Sequence, residues 1–113
     1  MFYISSYSFG KIIIDGHEYN SDLIIFPNKI KNNWWRDKGH LLQKNDLQSV
    51  IKYNPQKVII GTGKFSKMKV PKNLIEELKR KAINIEIYKT DKAIHKYNNS
   101  NKEETICALH LSC

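Results

Sequence analysis

Cysteine, arginine and long apolar runs are scarce in this chain, and each scarcity removes a class of protein. The two cysteines, Cys107 and Cys113, stand six apart near the C-terminus. No CxxC pair and no Cys/His quartet has zinc spacing, so a zinc module is excluded. A disulfide between the two would need a chain reversal that the residues do not signal. Both are expected reduced, Cys107 packed in the core and Cys113 a terminal thiol. Of the 19 basic residues only Arg36 and Arg80 are arginine, the side chain that nucleic-acid readers favour for bidentate contacts. No apolar run approaches the roughly 18 residues of a membrane-crossing helix. The N-terminal MFYISSYSFG lacks the basic flank and long apolar stretch of a secretory signal, so a cytoplasmic protein is expected. GxGxxG, GxxxxGK(S/T), a defensible Ser-His-Asp order, paired catalytic carboxylates and a metal box are missing too. No cofactor and no metal is therefore expected, and whether the protein is an enzyme stays open.

What is present fits one folded domain spanning residues 1–113. The apolar fraction of 41% and the charged fraction of 27% are ordinary for such a domain. There is no internal repeat, low-complexity segment or linker. The net charge of +8 admits an acidic protein partner or a small anionic ligand. A solvated lysine surface accounts for most of that charge. Nucleic acid is disfavoured, because Trp34, Trp35 and the Lys64–Lys72 run match no motif of that class. The oligomeric state has no firmer signal than a β-rich N-terminal half able to leave an edge strand.

The chain is organised around Lys57–Gly63, KVIIGTG. Val58, Ile59 and Ile60 form a β-branched run of the kind buried on both faces of a sheet. The run is expected to stop at Gly61-Thr62-Gly63, a tight turn whose backbone can approach another backbone or a ligand. Before it, Tyr3–Phe9, Lys11–Ile14 and His17–Tyr19 read as antiparallel strands, with Asp15-Gly16 as a two-residue hairpin turn. Asp22–Phe26 is a buried strand ended by Pro27. Asn28–Lys44 reads as a long ordered loop with a short extended piece around the tryptophans.

From residue 45 the period becomes helical, with Asp46 as N-cap, Leu47, Val50 and Ile51 inward, and Asn54-Pro55 as the stop. After the central strand, Pro71 opens a helix whose inner face is Leu74, Ile75, Leu78 and Ala82. Asn84–Tyr88 is a strand, and Thr90 caps a third helix with Ala93, Ile94 and Tyr97 inward. Thr105–Leu111 is the last strand, of undetermined direction. The fold class is thus α/β, a three-layer domain with a central mixed sheet, β-rich first and then αβαβαβ.

Seven motifs stand in order: SDLIIFP (21–27), WWR (34–36), GH (39–40), VIIGTG (58–63), M-x-VP (68–71), KYN (96–98) and ALHLSC (108–113). Together they resemble domain-of-unknown-function family 498, the Mth938-like family that includes mitochondrial complex I assembly factor 3 and the adipogenesis-associated domain-containing protein. The resemblance covers essentially the whole chain and implies a three-layer fold with a mixed sheet. It implies an assembly or binding role more than a defined reaction. No mitochondrial presequence precedes these motifs, so the chain looks closer to stand-alone prokaryotic members.

The candidate ligand- or partner-binding surface joins Trp34, Trp35, Arg36 and His40 to Gly61, Thr62 and Gly63. The tryptophans offer stacking area and Arg36 a guanidinium fork. Adjacent residues on an extended piece point opposite ways, so one tryptophan can be core and Arg36 can pair with a carboxylate. Gly61-Thr62-Gly63 reads either as an anion cradle at a helix N-terminus or as a plain turn. His40 and His110 form an acid/base pair only if the fold brings them together. Asp22, Asp46 and Thr90 read as turn or capping residues. The reading carried forward is a non-catalytic binding or assembly-type domain. Its alternative is a small enzyme or anion binder in the cleft beside the Gly-Thr-Gly turn.

Overall fold

Two apolar faces of one sheet organise the computed structural model, which describes residues 1–113. From the N-terminus, β1 (Ile4–Ser8), β2 (Lys11–Ile14) and β3 (His17–Tyr19) form a small antiparallel sheet. Asp15 and Gly16 both have positive φ (50° and 80°), the conformation that a two-residue hairpin turn requires. β4 (Leu23–Ile25) and β5 (Ile30–Lys31) follow, then a 3-10 turn over Lys44–Leu47 running into α1 (Gln48–Tyr53). The remainder is β6 (Lys57–Thr62), α2 (Lys72–Arg80), β7 (Asn84–Tyr88), α3 (Thr90–Asn98) and β8 (Thr105–His110). The main sheet has the order β5-β4-β8-β6-β7.

Successive residues of a strand face opposite ways, and the central strands exploit this on both sides. Val58 and Ile60 of β6 and Ile106 and Ala108 of β8 join Leu47, Val50, Leu74 and Leu78 in one core. Ile59, Cys107 and Leu109 turn the other way, onto Ile12, Ile14, Ala93 and Tyr97. The layers are therefore α1 with α2, the mixed sheet, and α3 with the small N-terminal sheet. Topology explains why α2 and α3 part company. The chain moves outward from β6 to β7, then back past β6 to β8, and crossovers of one hand then place their helices on opposite faces.

The direction of the last strand is now fixed. β8 runs parallel to β6 and antiparallel to β4, so it is where the sheet changes from parallel to antiparallel. Cys107 is fully buried on it, burial pushes its thiol pKa up, and both cysteines are free.

Several local expectations are corrected. The central strand does not stop at Gly61 but continues to Thr62. A Cβ on Gly61 would come within 2.7 Å of Leu109 Cδ2 and 3.0 Å of Thr90 Oγ1, so the glycine admits α3 against the strand. The extended piece of the long loop is β5, which pairs with β4 as a hairpin, whereas the tryptophans lie outside any strand. Asp46 is not the N-cap; from inside the 3-10 turn its carboxylate accepts the Gln43 N–H at 2.8 Å. Ala82 lies beyond α2, exposed and with φ 60°, in the turn leading to β7. Thr90 caps nothing on its own helix. Its hydroxyl accepts the Gly63 N–H at 2.8 Å and donates to the His110 carbonyl at 2.6 Å, tying together the ends of β6 and β8.

That double role predicts the cost of its loss. Thr90→Val keeps the shape but leaves a buried N–H and a buried carbonyl without their partner, and should destabilise by about 2–3 kcal/mol. Thr90→Ser should retain most of the stability. Denaturant midpoints of the two variants check this, and equal midpoints would remove the tie.

Candidate functional site

The site begins with strand register. Leu23 pairs with Leu109 across the antiparallel β4–β8 ladder, so Asp22, just before β4, meets His110 at the end of β8. The Asp22 carboxylate accepts from His110 Nδ1 at 2.8 Å, from the Leu111 N–H at 2.7 Å and from Arg36 Nη2 at 2.7 Å. Arg36 arrives from the loop between β5 and the 3-10 turn. Its guanidinium stacks on Trp34, with Cζ 4.6 Å from the ring centroid. Trp34 is buried in turn, donating its ring N–H to the Asp46 carbonyl at 3.0 Å and its backbone N–H to the Asp22 carbonyl at 2.8 Å.

Counting hydrogens assigns the tautomer. Arg36 Nη2 has two protons and three neighbours: Asp22 Oδ2, the Gly39 carbonyl at 3.2 Å, and His110 Nδ1 at 3.1 Å. An ionised carboxylate only accepts, so the proton at the 2.8 Å contact with Asp22 belongs to His110 Nδ1. The two Arg36 protons then serve Asp22 and Gly39. His110 Nε2, Arg36 Nε and Arg36 Nη1 remain buried with no partner.

Burial alone would raise the Asp22 pKa. The bonds from His110, Leu111 and Arg36 outweigh it and hold the carboxyl below its ordinary value.

The expected site residues fall into two groups. Arg36 and His40 are brought to His110, the two imidazoles edge-on with centroids 5.8 Å apart. His40 itself is exposed, and its carbonyl accepts the Lys69 N–H at 2.9 Å, which staples the loop beside the central strand. Thr62 pairs with His110 in the parallel ladder, so Gly63 lies against the imidazole. A Cβ there would overlap the Cys113 backbone and approach His110 Cδ2 to 2.9 Å, and φ is +110°. Gly63 thus makes room for the histidine and the C-terminal residues. Its N–H, the donor an anion cradle would offer, is held by Thr90, and the Thr62 carbonyl accepts the Met68 N–H at 3.1 Å. Trp35 stands apart from this cluster. It is 84% exposed on the rim of a groove of about 390 Å³ lined by Ser21, Asp22, Asn33, Trp34 and itself.

Sequence reasoning missed Asp22 as the hub and left His110 conditional. The available signal was an aspartate directly before one buried strand and a histidine near the end of another. Chemically, the cluster is an Asp–His pair with a guanidinium beside it. No nucleophilic side chain lies within hydrogen-bonding distance of Nε2, and no group of three His, Cys, Asp or Glu side chains converges as a metal would require.

The profile of a family described as "Protein of unknown function (DUF498/DUF598)" matches residues 4–111. Among solved structures, a conserved hypothetical protein, PH1505 from Pyrococcus horikoshii, superposes with a TM-score of 0.80 at 19% identity, over 97% of this chain and 98% of that one. The protein MT938 gives 0.79 at 17% identity over the whole of both chains. A Bordetella pertussis protein described as a Mth938-like domain gives 0.76 at 14% identity, over 97% of this chain and 85% of that one. These likenesses establish the Mth938-like fold.

Two measurements follow from the cluster. The depressed folded pKa of Asp22 means that its contribution is present above the unfolded carboxyl pKa of about 3.9 and disappears as pH falls through and below it. Stability should therefore drop between about pH 5 and pH 2, and Asp22→Asn, weaker at neutral pH, should show a shallower acid dependence in denaturant titrations. Arg36→Ala removes one of three donors to the half-buried Asp22 carboxylate and should cost about 1.5–3 kcal/mol by the same method; a loss under 1 kcal/mol would show that the ion pair is dispensable.

Proposed function

The chain belongs to the DUF498/DUF598 family of proteins of unknown function, and we propose that it is a non-catalytic binding domain that engages a protein partner through Trp35. The observation that carries this reading is a contrast between chain neighbours. Trp34 and Arg36 are buried, at 5% and 7% exposure, while Trp35 between them is 84% exposed. Two buried anchors fix the backbone that carries the exposed indole, so little main-chain freedom remains to be lost on binding. Large aromatic side chains such as tryptophan dominate binding energy at protein interfaces. The groove beside Trp35 offers room for an apolar side chain of the partner. The net charge of +8 favours a partner whose surrounding residues are acidic.

An assembly-factor role is one form that such binding takes. A cytoplasmic location accords with a chain in which no helix is long and apolar enough to cross a membrane. The cleft beside Gly61–Gly63 supports the alternative of a small-molecule site less well, because the Gly63 N–H is committed to Thr90.

The test is quantitative co-purification from the protein's own cells. Trp35→Ala should lower the yield of a stoichiometric partner at least tenfold, in line with about 2 kcal/mol for an interface hot spot. Its melting temperature should stay within about 2 °C of wild type, since an exposed residue is being truncated. Full partner retention by Trp35→Ala, or no stoichiometric protein with the wild type, would overturn the proposal.

A further inference from the structure

Phenylalanine ordinarily serves a core, yet two of the four in this chain stand exposed on turns. Phe9 sits in the turn between β1 and β2, and Phe65 in the loop that follows β6. They are 54% and 65% exposed, and their rings meet with centroids 6.2 Å apart. Such positions usually take polar residues, and a phenyl ring has no polar atom that gains from water. Residues 111–113 support both turns from behind. The Leu111 carbonyl accepts the Gly10 N–H at 2.9 Å, and the Cys113 oxygen accepts the Phe65 and Lys67 N–H groups at 3.3 and 2.9 Å. Both backbones are therefore held, and neither ring belongs to either core.

We propose that this pair is the contact point of a peripheral surface that docks on an anionic lipid bilayer. The surrounding charge selects that partner. Residues 61–75 hold Lys64, Lys67, Lys69 and Lys72 and no acid, and residues 1–14 hold Lys11 and no acid. Lys11 and Lys67 each follow a ring by two positions, are exposed, and form no salt bridge. Lys64 lies 5.2 Å from the Tyr7 ring centroid and pairs with Asp91 at 3.2 Å. Apolar tips with cations beside them suit a membrane interface. The rings enter the boundary between headgroups and acyl chains, while the ammonium groups stay level with the lipid phosphates.

Shape favours a bilayer over a folded partner. The three surface grooves are lined by other residues, so the aromatic pair stands on ungrooved surface. A protein interface needs close complementarity on both sides, whereas a fluid bilayer accepts protruding side chains without a matching cavity. The protein would lie on the membrane, and no helix in it is long and apolar enough to cross one. The Trp35 surface shares no residue with this patch, so the two readings stand or fall separately.

The experiment is co-sedimentation with vesicles of phosphatidylcholine containing phosphatidylserine, against phosphatidylcholine alone. The protein should bind the anionic vesicles at least about tenfold better, and added salt should weaken that binding. Replacing both rings, Phe9→Ser with Phe65→Ser, should lower binding at least about tenfold. Burial of roughly 60 Å² of apolar surface suffices for that factor. A charge control separates local from diffuse attraction, because Lys67→Glu and Lys81→Glu change the net charge equally. Lys81 lies beyond α2 at the end of the sheet where β6 and β7 begin, whereas Lys67 follows the far end of β6. Lys67→Glu should weaken binding several-fold more than Lys81→Glu. If the double serine variant does not fold, this comparison decides. No binding to anionic vesicles, full binding by the serine variant, or equal effects of the two lysine changes would overturn the proposal. Ring-dependent self-association without vesicle binding would also overturn it, and would assign the pair to a second copy of the chain.

Discussion

One carboxylate closes this fold at its carboxyl-terminal end. Asp22 takes hydrogen bonds from a loop arginine, from a histidine at the end of β8, and from the backbone of the residue after it. Those three donors lie 14, 88 and 89 residues away along the chain. An unpaired carboxylate in that position would be costly, and so would an unpaired guanidinium. Each therefore constrains the other, and the long loop, the mixed sheet and the C-terminal segment meet in one arrangement. Trp34 lies over the guanidinium and limits the pair's access to water. The exposed Trp35 inherits its position from this closure.

The architecture was largely legible in the residues. Apolar runs at 23–25 and 58–60 and helical periods at 47–51 and 74–78 are strong local signals, and the alternation in the second half implies parallel crossovers. The candidate site was legible only in part. WWR announced a special loop, yet which tryptophan was core depended on what lay beneath it. Asp22 looked like a turn residue because nothing local reveals that residue 110 will stand beside it. That neighbour is set by an antiparallel register between strands more than 80 positions apart. Thr90 failed for a related reason: a hydroxyl at a helix start ordinarily serves its own helix, and here the adjacent strand ends claim it first.

The glycines around Thr62 show how one local signal carries two opposite readings. A flexible, Cβ-free turn at the end of a central strand suits a ligand, and it equally suits the close approach of other protein atoms. Here α3 presses on Gly61, and the imidazole and C-terminal backbone press on Gly63. The ends of parallel strands where a sheet changes its winding remain the place where functional groups gather. In this chain they are side chains from β8 and the loop, while the backbone of the turn supports them.

The position of β8 also bears on how the protein is made. The strand at the middle of the main sheet is synthesised late relative to its neighbours, more than 40 residues after β6 and 80 after β4. Until it arrives, β4 and β6 have no common partner, and the apolar faces on both sides of the gap stay open. The main sheet therefore cannot close around its central position until residues 105–110 are available. The same strand that completes the sheet also carries His110 to Asp22, so pairing of β8 and closure of the cluster are tied together.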